Sequence, residues 1–222
     1  MDDNSQAGAA AGTVPSPPAE VDGRASVGPV LVGWTVAAEP AVDVRLGPVD
    51  ARRAAGFGDT RRTRFAAGRA LLGRLLADRF GAGSVDGAPC PHCGGDHGGV
   101  AVRGVPAIAS LAHAGSLAIA AVAADAEVAR LGVDGESALA DPARDADLAR
   151  LLDVPAEAAL RRWTEVEAVL KADGRGLRAD PGLVRFAVGT ALVEDTGDRY
   201  RLSAVPGPPD LVISVAWQPP VR

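Results

Sequence analysis

The feature that most constrains the fold of this chain is an order of strand, helix and strand patterns that occurs twice. In the first occurrence, residues 29–36 form a short, apolar, β-branched segment that predicts a strand. Residues 59–80 then carry apolar side chains at the spacing of one helical stripe, and Gly81 and Gly83 predict the end of that helix. A second apolar strand is predicted over residues 117–123. The first half of the chain therefore combines strands with one long helix.

The second occurrence begins near residue 124 and contains two helices and four strands. The helices are predicted over residues 141–152 and 156–173, and the strands over residues 128–133, 184–188, 200–204 and 211–217. This order predicts an α/β chain of the α+β type, with similar halves over residues 25–123 and 124–222. Residue-level similarity between the halves is not convincing, so a duplicated, pseudo-two-fold fold is a hypothesis. If the halves pack face to face, the crevice between them is the natural ligand site.

The composition is that of a globular chain, and it argues against several kinds of partner. With 47% hydrophobic residues among 222, the chain is long enough to bury one large core or two smaller ones. The net charge of −5 argues against general nucleic-acid binding, and no segment has the apolar length needed to span a bilayer. Two cysteines make no disulfide framework for a chain of this size, so the cytoplasm is the expected compartment.

Residues 1–24 differ in composition from the rest of the chain. Two aspartates follow Met1, and the segment is rich in Ala, Gly, Pro and Ser. A signal peptide would need a basic start and an apolar core, which this segment lacks. We therefore expect a disordered N-terminal tail.

Among the 23 residues that are lysine or arginine, only Lys171 is a lysine. Arginine keeps its proton under ordinary conditions, whereas an ammonium is compact and can shift its pKa and release a proton. Glu167 lies one helical turn before Lys171, which makes this helix the first candidate for an active site. The alternative is an ordinary exposed i,i+4 pair, worth about 0.2–0.5 kcal/mol. Thr164 with Glu167 also fits a capping box.

Two carboxylates, Asp134 and Glu136, follow one another at i and i+2 near the end of a predicted strand. Alternation in a strand directs both side chains to one face. Two adjacent carboxylates repel each other unless a cation lies between them, and hard oxygen ligands suit Mg²⁺. A third carboxylate from Glu167 could complete such a site. The alternative is a solvated strand end.

Positive and negative charges are separated along the chain. Seven arginines crowd into residues 52–74, and acidic residues gather over residues 125–153. This separation suits a polyphosphate ligand held on one side and a metal on the other. The alternative is a solvated helix face.

Two further segments carry histidine. His113 lies between small residues in a predicted turn over residues 110–116, where its ring and neighbouring amides could contact a phosphate. A hydrogen-bonded packing residue is the alternative. Cys90, Cys93 and His97 offer three zinc ligands, but no second Cys-x-x-Cys pair exists to complete a tetrahedron. A tight glycine-rich loop is the favoured interpretation, and zinc stays open.

Taken in order, these segments resemble the Sfp-type 4'-phosphopantetheinyl transferases over roughly residues 52–217. The pair formed by Gly-Val-Asp-x-Glu and Trp-Thr-x-x-Glu-Ala-x-x-Lys, in this order, is the most specific part of the resemblance. The matching segments are residues 68–72, the Cys-x-x-Cys-Gly-x-x-His-Gly loop at 90–98, the turn at 110–115, and the two motifs at 132–136 and 163–171.

The resemblance implies a pseudo-two-fold α/β fold with coenzyme A in the crevice between its halves. Such an enzyme moves the phosphopantetheine arm of coenzyme A to a serine of an acyl or peptidyl carrier protein and releases adenosine 3',5'-bisphosphate. By matching positions, Asp134, Glu136 and Glu167 would hold Mg²⁺ against the pyrophosphate. Asp134, Glu167 and Lys171 would be the catalytic residues: Glu167 would help to deprotonate the carrier serine, and Lys171 would contact the phosphate and could protonate the leaving group.

The resemblance also implies a set of coenzyme A contacts. His113 and Lys171 would contact the phosphates, and Arg53 and Arg69 would meet the nucleotide end. The natural expectation for such a chain is a monomer that binds coenzyme A and an apo carrier protein, without nucleic acid or membrane.

Several positions depart from the pattern of the family. The lysine that usually precedes the helix glutamate is Val166, the usual Ser-His of the turn is Ala112-His113, and the usual Gly-Lys-Pro or Gly-Arg-Pro is residues 98–100. The metal and general-base positions are retained, which predicts an active enzyme. Two alternatives remain: a homologue that binds coenzyme A without transfer, and a zinc-containing binding module.

Overall fold

The computed structural model describes residues 22–37, 44–90, 93–96 and 98–220. In these residues the chain forms four α-helices and three antiparallel sheets, which confirms the α+β class. The first strand begins at Gly23, so the last two residues of the predicted tail, 23 and 24, belong to a strand. The rest of the predicted tail, residues 1–21, lies outside the described part of the chain.

A four-stranded sheet in the order β1-β2-β6-β5 is built from the first half of the chain. Its strands are β1 (Gly23–Val27), β2 (Val30–Val36), β5 (Ala107–Ala114) and β6 (Leu117–Ala124). Helix α2 (Asp59–Phe80) covers one face with its buried leucines, and its bounds are those predicted. A Cβ at Gly33 of β2 would lie 2.9 Å from the Leu75 side chain, so the glycine lets this helix lie close to the sheet.

A short helix and a two-stranded sheet flank the start of α2. The helix is α1 (Pro48–Ala55), and the sheet pairs β3 (Ser84–Gly87) with β4 (Val100–Arg103). The Asp86 carboxylate accepts hydrogen bonds from the backbone amides of Asp50 (3.0 Å) and Val49 (3.5 Å). These bonds satisfy amides that the first turn of a helix leaves without partners. The carboxylate of β3 therefore anchors α1.

A five-stranded sheet in the order β7-β11-β10-β9-β8 is built from the second half of the chain. Its strands are β7 (Arg130–Ser137), β8 (Val184–Ala187), β9 (Thr190–Val193), β10 (Arg199–Ala204) and β11 (Leu211–Gln218). The helices of this half are α3 (Pro142–Leu152) and α4 (Ala156–Asp173), and α4 has the predicted bounds. Helix α4 packs on the sheet and ends at Gly174, which has a left-handed conformation with φ of 88°.

The two larger sheets share one hydrophobic core. Apolar side chains of β2 and β6 pack with those of β7 and β11 in a single cluster. At the edge strands, the Ser110 hydroxyl of β5 accepts a hydrogen bond from the Val133 amide of β7 at 3.0 Å. The sheets differ in strand number, and the pseudo-two-fold relation between the halves stays a prediction.

The structure corrects the expected turn at residues 110–116. Strand β5 continues to Ala114 because its residues pair with β6 from Ala107 opposite Ala124 to Ala114 opposite Leu117. The turn is reduced to Gly115 and Ser116. His113 therefore lies on a strand next to the turn and not within it.

No helix in the described ranges combines the length and the apolar character needed to cross a bilayer.

Candidate active site

Strand β7 directs its acidic residues toward helix α4. A Cβ at Gly132 would lie 2.0 Å from the carbonyl oxygen of Ala168, so the face of β7 that carries Gly132 lies against the backbone of α4. Because strand side chains alternate, Asp134 and Glu136 share that face. The opposite face carries Leu131 and Val133, which belong to the core between the sheets.

Helix α4 is held against the sheet by a buried hydroxyl pair. The Thr164 hydroxyl donates to the Arg161 carbonyl oxygen at 2.9 Å and lies 2.8 Å from Ser214 Oγ. Because Thr164 has a single hydroxyl proton, Ser214 is the donor to Thr164. Thr164 lies in the middle of α4, whose N-cap is Pro155. The capping-box alternative is therefore wrong.

Lys171 joins the acidic residues of the helix and the strand. Its Nζ donates to Asp134 Oδ1 at 2.6 Å and lies 3.7 Å from Glu167 Oε2. The Asp134 side chain is 6% exposed and that of Lys171 is 28% exposed. The tertiary structure thus brings together the three residues expected to be catalytic. The alternative interpretation of Glu167 and Lys171 as an ordinary exposed i,i+4 pair is therefore wrong, because the closer partner of Lys171 is the buried Asp134.

Each of the three carboxyl groups has a raised pKa. Burial is the main cause for Asp134, and the Lys171 ammonium opposes it. Burial and then the charge of Asp134 raise the pKa of Glu136 and of Glu167. The carboxylates therefore repel one another in a partly desolvated setting.

The donor set suits a hard divalent cation. Asp134 Oδ2 is buried and makes no hydrogen bond to any described residue, and carboxylate oxygens are the protein ligands that Mg²⁺ takes. Within the described ranges, no three His, Cys, Asp or Glu side chains are arranged as a ready metal-binding group. Asp134, Glu136 and Glu167, the residues that would hold the ion, are therefore not arranged around a common metal position as they stand, and the ammonium of Lys171 lies against two of them.

Glu136→Gln is expected to raise the melting temperature at pH 7, by no more than roughly 2–4 °C because solvent screens this half-buried carboxylate. The folded-state pKa of Glu136 lies above its unfolded value, so the folded protein binds this proton more readily. The charge of Glu136 destabilises the folded protein fully at pH values above its folded-state pKa. This destabilisation disappears as the pH falls toward the pKa of Glu136 in the unfolded chain. The gain should therefore shrink in melts recorded at decreasing pH.

Glu165→Gln is the matched control for this substitution. Burial also raises the pKa of Glu165, but its charged neighbours are Arg162 and Arg161, which favour the carboxylate. Because its pKa is also raised, Glu165→Gln should give a gain of the same sign, but a smaller one, since the two arginines offset part of the burial penalty and no carboxylate repels Glu165. A lower melting temperature for Glu136→Gln at pH 7 would contradict the assignment of mutual repulsion.

A cavity of about 670 Å³ lies between the two halves, beside Lys171. Its lining includes residues of both halves, among them Phe65, Ser110, His113, Leu131, Lys171 and Arg178. A second cavity, of about 720 Å³, lies along α1 and α2. Phe65 and His113 line both cavities, so the two meet at these side chains.

The second cavity is lined by arginine and aromatic side chains. Arg61 stacks on the Phe57 ring, with its guanidinium carbon 4.0 Å from the ring centroid. Arg64 and Arg53 also line this space. Sequence reasoning included these arginines in its basic cluster but missed the aromatic residues. The four-residue spacing of Arg61 and Phe65 on α2 was the signal that could have indicated a shared helix face, whereas Phe57 lies before the helix and gave no such signal.

Arg69 forms an internal ion pair, and its expected contact with the nucleotide end of a ligand stays a prediction. Its guanidinium donates two hydrogen bonds to Asp50, at 2.5 and 2.9 Å, and both side chains are almost fully buried. Arg69 borders the cavity between the halves, yet its charge is already balanced by Asp50. Arg53 lies beside this pair: its Nη1 is 3.6 Å from Asp50, its Nη2 donates to the Ala88 carbonyl oxygen at 2.8 Å, and its Nε is buried without a hydrogen-bond partner among the described residues.

His113 uses one ring nitrogen for an internal contact. Its Nε2 lies 3.1 Å from the Arg64 carbonyl oxygen, which can only accept, so Nε2 carries the proton. Burial lowers the pKa of His113, and the charges of Arg64, Lys171 and Arg69 lower it further. The remaining nitrogen, Nδ1, is an acceptor in the neutral ring. A phosphate contact at Nδ1 would therefore require a protonated imidazole.

The glycine-rich loop forms a tight turn, as expected. The Cys90 amide donates to the Gly95 carbonyl oxygen at 2.7 Å, and the Gly94 amide donates to the Cys90 carbonyl oxygen at 2.8 Å. Cys90 is buried and Cys93 is exposed. His97, the third candidate zinc ligand, lies outside the described residues, so the zinc alternative stays a hypothesis.

Packing explains two of the positions, 112 and 166, at which the chain departs from the motifs of the transferases that it resembles. Val166 is 1% exposed and belongs to the core between α4 and its sheet. Ala112 is also buried, in the core shared by the two larger sheets. At both positions the chain has an apolar side chain that fits its surroundings.

Neither a scan against models of known protein families nor a search of curated proteins finds a match to this chain.

Proposed function

We propose that this chain is a 4'-phosphopantetheinyl transferase that modifies a serine of an acyl or peptidyl carrier protein. The proposal rests chiefly on one observation: Lys171, Asp134 and Glu167 converge beside a cavity between the two halves. In the proposed setting the enzyme acts in the cytoplasm as a monomer, with coenzyme A and the apo carrier protein as substrates.

The proposed reaction is a phosphoryl transfer within the pyrophosphate of coenzyme A. The serine oxygen forms a bond to the phosphorus that carries the pantetheine arm, and the bond from this phosphorus to the bridging oxygen breaks. Adenosine 3',5'-bisphosphate leaves with that oxygen. Such reactions depend mainly on positioning and on neutralisation of charge.

Glu167 is the proposed general base for the serine hydroxyl, directly or through a water molecule. A serine hydroxyl is a poor nucleophile until a base can accept its proton. Burial and the neighbouring Asp134 raise the pKa of Glu167, which makes its carboxylate a stronger base.

Lys171 is the proposed cation for the transferred and leaving phosphates. Its side chain lines the cavity between the halves and retains partial exposure. An ammonium can neutralise phosphate charge and can also give a proton to the departing oxygen, which a guanidinium does not do at working pH. This difference accounts for a lysine at this position in a chain that otherwise uses arginine.

Asp134, Glu136 and Glu167 would hold Mg²⁺, which when bound would neutralise negative charge on the pyrophosphate. Asp134 Oδ2, which is buried and has no hydrogen-bond partner in the part of the chain that the structure describes, supports this assignment.

The arginine and aromatic cavity is the proposed site for the nucleotide end of coenzyme A. Arginine side chains pair with phosphates, and aromatic rings provide stacking surfaces for a base. Arg53 lines this cavity, and His113 lies where it meets the cavity beside Lys171. In this proposal Arg69 contributes by holding Asp50 and α1 in place.

The test combines the purified chain with coenzyme A, Mg²⁺ and a panel of apo carrier proteins, followed by intact mass. We expect a phosphopantetheine mass gain whose rate falls at least about 100-fold in Glu167→Gln, because general acid-base groups contribute that much or more. Asp134→Ala is expected to abolish the gain.

Glu165→Gln again provides the control, because Glu165 lies on the same helix but pairs with Arg162. It should retain transfer. Unchanged transfer in both Glu167→Gln and Asp134→Ala would refute the proposal. Coenzyme A binding without transfer to any carrier would favour the non-catalytic homologue instead.

A further inference from the structure

The position of Lys171 raises a question of charge balance at the acidic site. Three carboxylates face one another with partial burial, while the Lys171 ammonium contacts two of them. Arg144 is the other cation that acts on Glu136. The ammonium thus already provides much of the positive charge that a divalent ion would bring.

A divalent ion and the ammonium would compete for the same oxygens. Lys171 Nζ is 2.6 Å from Asp134 Oδ1, a distance at which a second cation on that carboxylate would be strongly repelled. The other oxygen, Asp134 Oδ2, is buried and has no hydrogen-bond partner in the described ranges, so it is left for a second cation. Asp134 therefore has one oxygen available to a metal ion, while its other oxygen binds the Lys171 ammonium, whose charge repels that ion.

Lys171 has space to leave this position. Its flexible four-carbon stem is partly exposed, and the side chain lines the cavity between the halves. The lysine can therefore exchange its carboxylate contacts for the cavity without a movement of helix α4.

We propose that Lys171 is a built-in competitor of the divalent cation, and that metal binding displaces its ammonium from Asp134 into the cavity between the halves. This proposal rests on the proposed function for the identity of the metal and adds a coupling between metal and lysine. Before the metal binds, Lys171 neutralises part of the negative charge of the carboxylates. After the metal binds, Lys171 becomes a phosphate-binding group.

The first test measures Mn²⁺ binding to the full chain by the loss of the free-ion electron paramagnetic resonance signal, without coenzyme A or carrier. Lys171→Met, which removes the competing charge at similar length, is expected to bind Mn²⁺ at least tenfold more tightly than the wild type. Arg178→Met is the matched control. Arg178 lines the same cavity, but its guanidinium donates to the Gly174 carbonyl oxygen, whereas Lys171 contacts carboxylates.

The control separates direct competition from a general change in charge. If Arg178→Met tightens Mn²⁺ binding as much as Lys171→Met does, the proposal is overturned. Unchanged or weaker binding by Lys171→Met also overturns it, as does the absence of Mn²⁺ binding in both the wild type and this variant.

The second test uses the wild-type chain and needs no variant to fold. Because Lys171 is the only lysine, acylation by an amine reagent followed by peptide mapping reports on this side chain alone. Its labelling rate is expected to rise severalfold with Mg²⁺, relative to NaCl at equal ionic strength, with the N-terminal amine as internal reference. An unchanged or slower rate contradicts displacement.

The outcomes distinguish this inference from the proposed function. If Lys171→Met binds Mn²⁺ more tightly but the wild type transfers no phosphopantetheine, the competition is supported and the transferase proposal is refuted. If the wild type transfers phosphopantetheine but Lys171→Met binds Mn²⁺ no more tightly than the wild type does, only the competition is refuted.

Discussion

Asp50→Ala is expected to lower the free energy of unfolding by about 3–5 kcal/mol, because it leaves a buried charge without its partner. Asp50 is fully buried and accepts two hydrogen bonds from Arg69, which is 5% exposed. It also lies 3.6 Å from Arg53. Urea unfolding followed by circular dichroism measures the loss.

Asp59→Ala is the control for the loss of a carboxylate near a helix N-terminus. Asp59 is 95% exposed and lies 3.9 Å from the exposed Arg62, and surface substitutions of this kind usually stay within about 0.5 kcal/mol. A loss below about 1 kcal/mol for Asp50→Ala would contradict a strong buried pair.

The double variant Asp50→Leu, Arg69→Met tests the origin of that loss. If the cost comes from an uncompensated guanidinium, replacing both partners with apolar residues should recover most of the stability. Under the proposed function, the refolded double variant should still bind coenzyme A more weakly than the wild type, because Asp50 no longer holds Arg53 at the second cavity.

Gly132→Ala is expected to destabilise the protein by about 3 kcal/mol or more, at or above the upper end for an overpacked core. A Cβ at this position would lie 2.0 Å from the Ala168 carbonyl oxygen and 2.5 Å from the Ala172 amide nitrogen. Both are backbone atoms of α4, so no side chain can move aside. The melting temperature should fall by roughly 6–12 °C.

Gly73→Ala is the control for the addition of a methyl group to a glycine. Gly73 lies within α2, and a Cβ there meets nothing within 4 Å. Alanine should therefore stabilise the helix by about 0.5–1 kcal/mol. If Gly132→Ala were as stable as the wild type, α4 could not lie as close to β7 as the structure places it.

The two long helices illustrate what local sequence can predict. Both α2 and α4 have the bounds expected from the chain, because apolar side chains repeat with the helical period and a glycine follows each last turn. The same periodicity brought Glu167 and Lys171 to one face of α4. These features depend on neighbours within a few residues, which the sequence displays directly.

Other elements depend on partners that are distant in the sequence. Helix α1 was not predicted, and its first turn is held by Asp86 from β3. The extent of β5 was misjudged because its pairing with β6, and not its small side chains, carries the strand through His113. The buried ion pair between Arg69 of α2 and Asp50 of α1 also joins residues whose contact the sequence did not indicate.

Periodicity, alternation and residue chemistry over short spans were enough to predict the α+β class, the two long helices, and the candidate acids and lysine. Three facts could be read only from the folded chain: Lys171 pairs with Asp134, Asp134 Oδ2 is buried without a hydrogen-bond partner among the described residues, and two cavities meet at His113. The first two depend on how closely α4 lies on β7, and that distance is set at Gly132 by contacts between segments far apart along the chain.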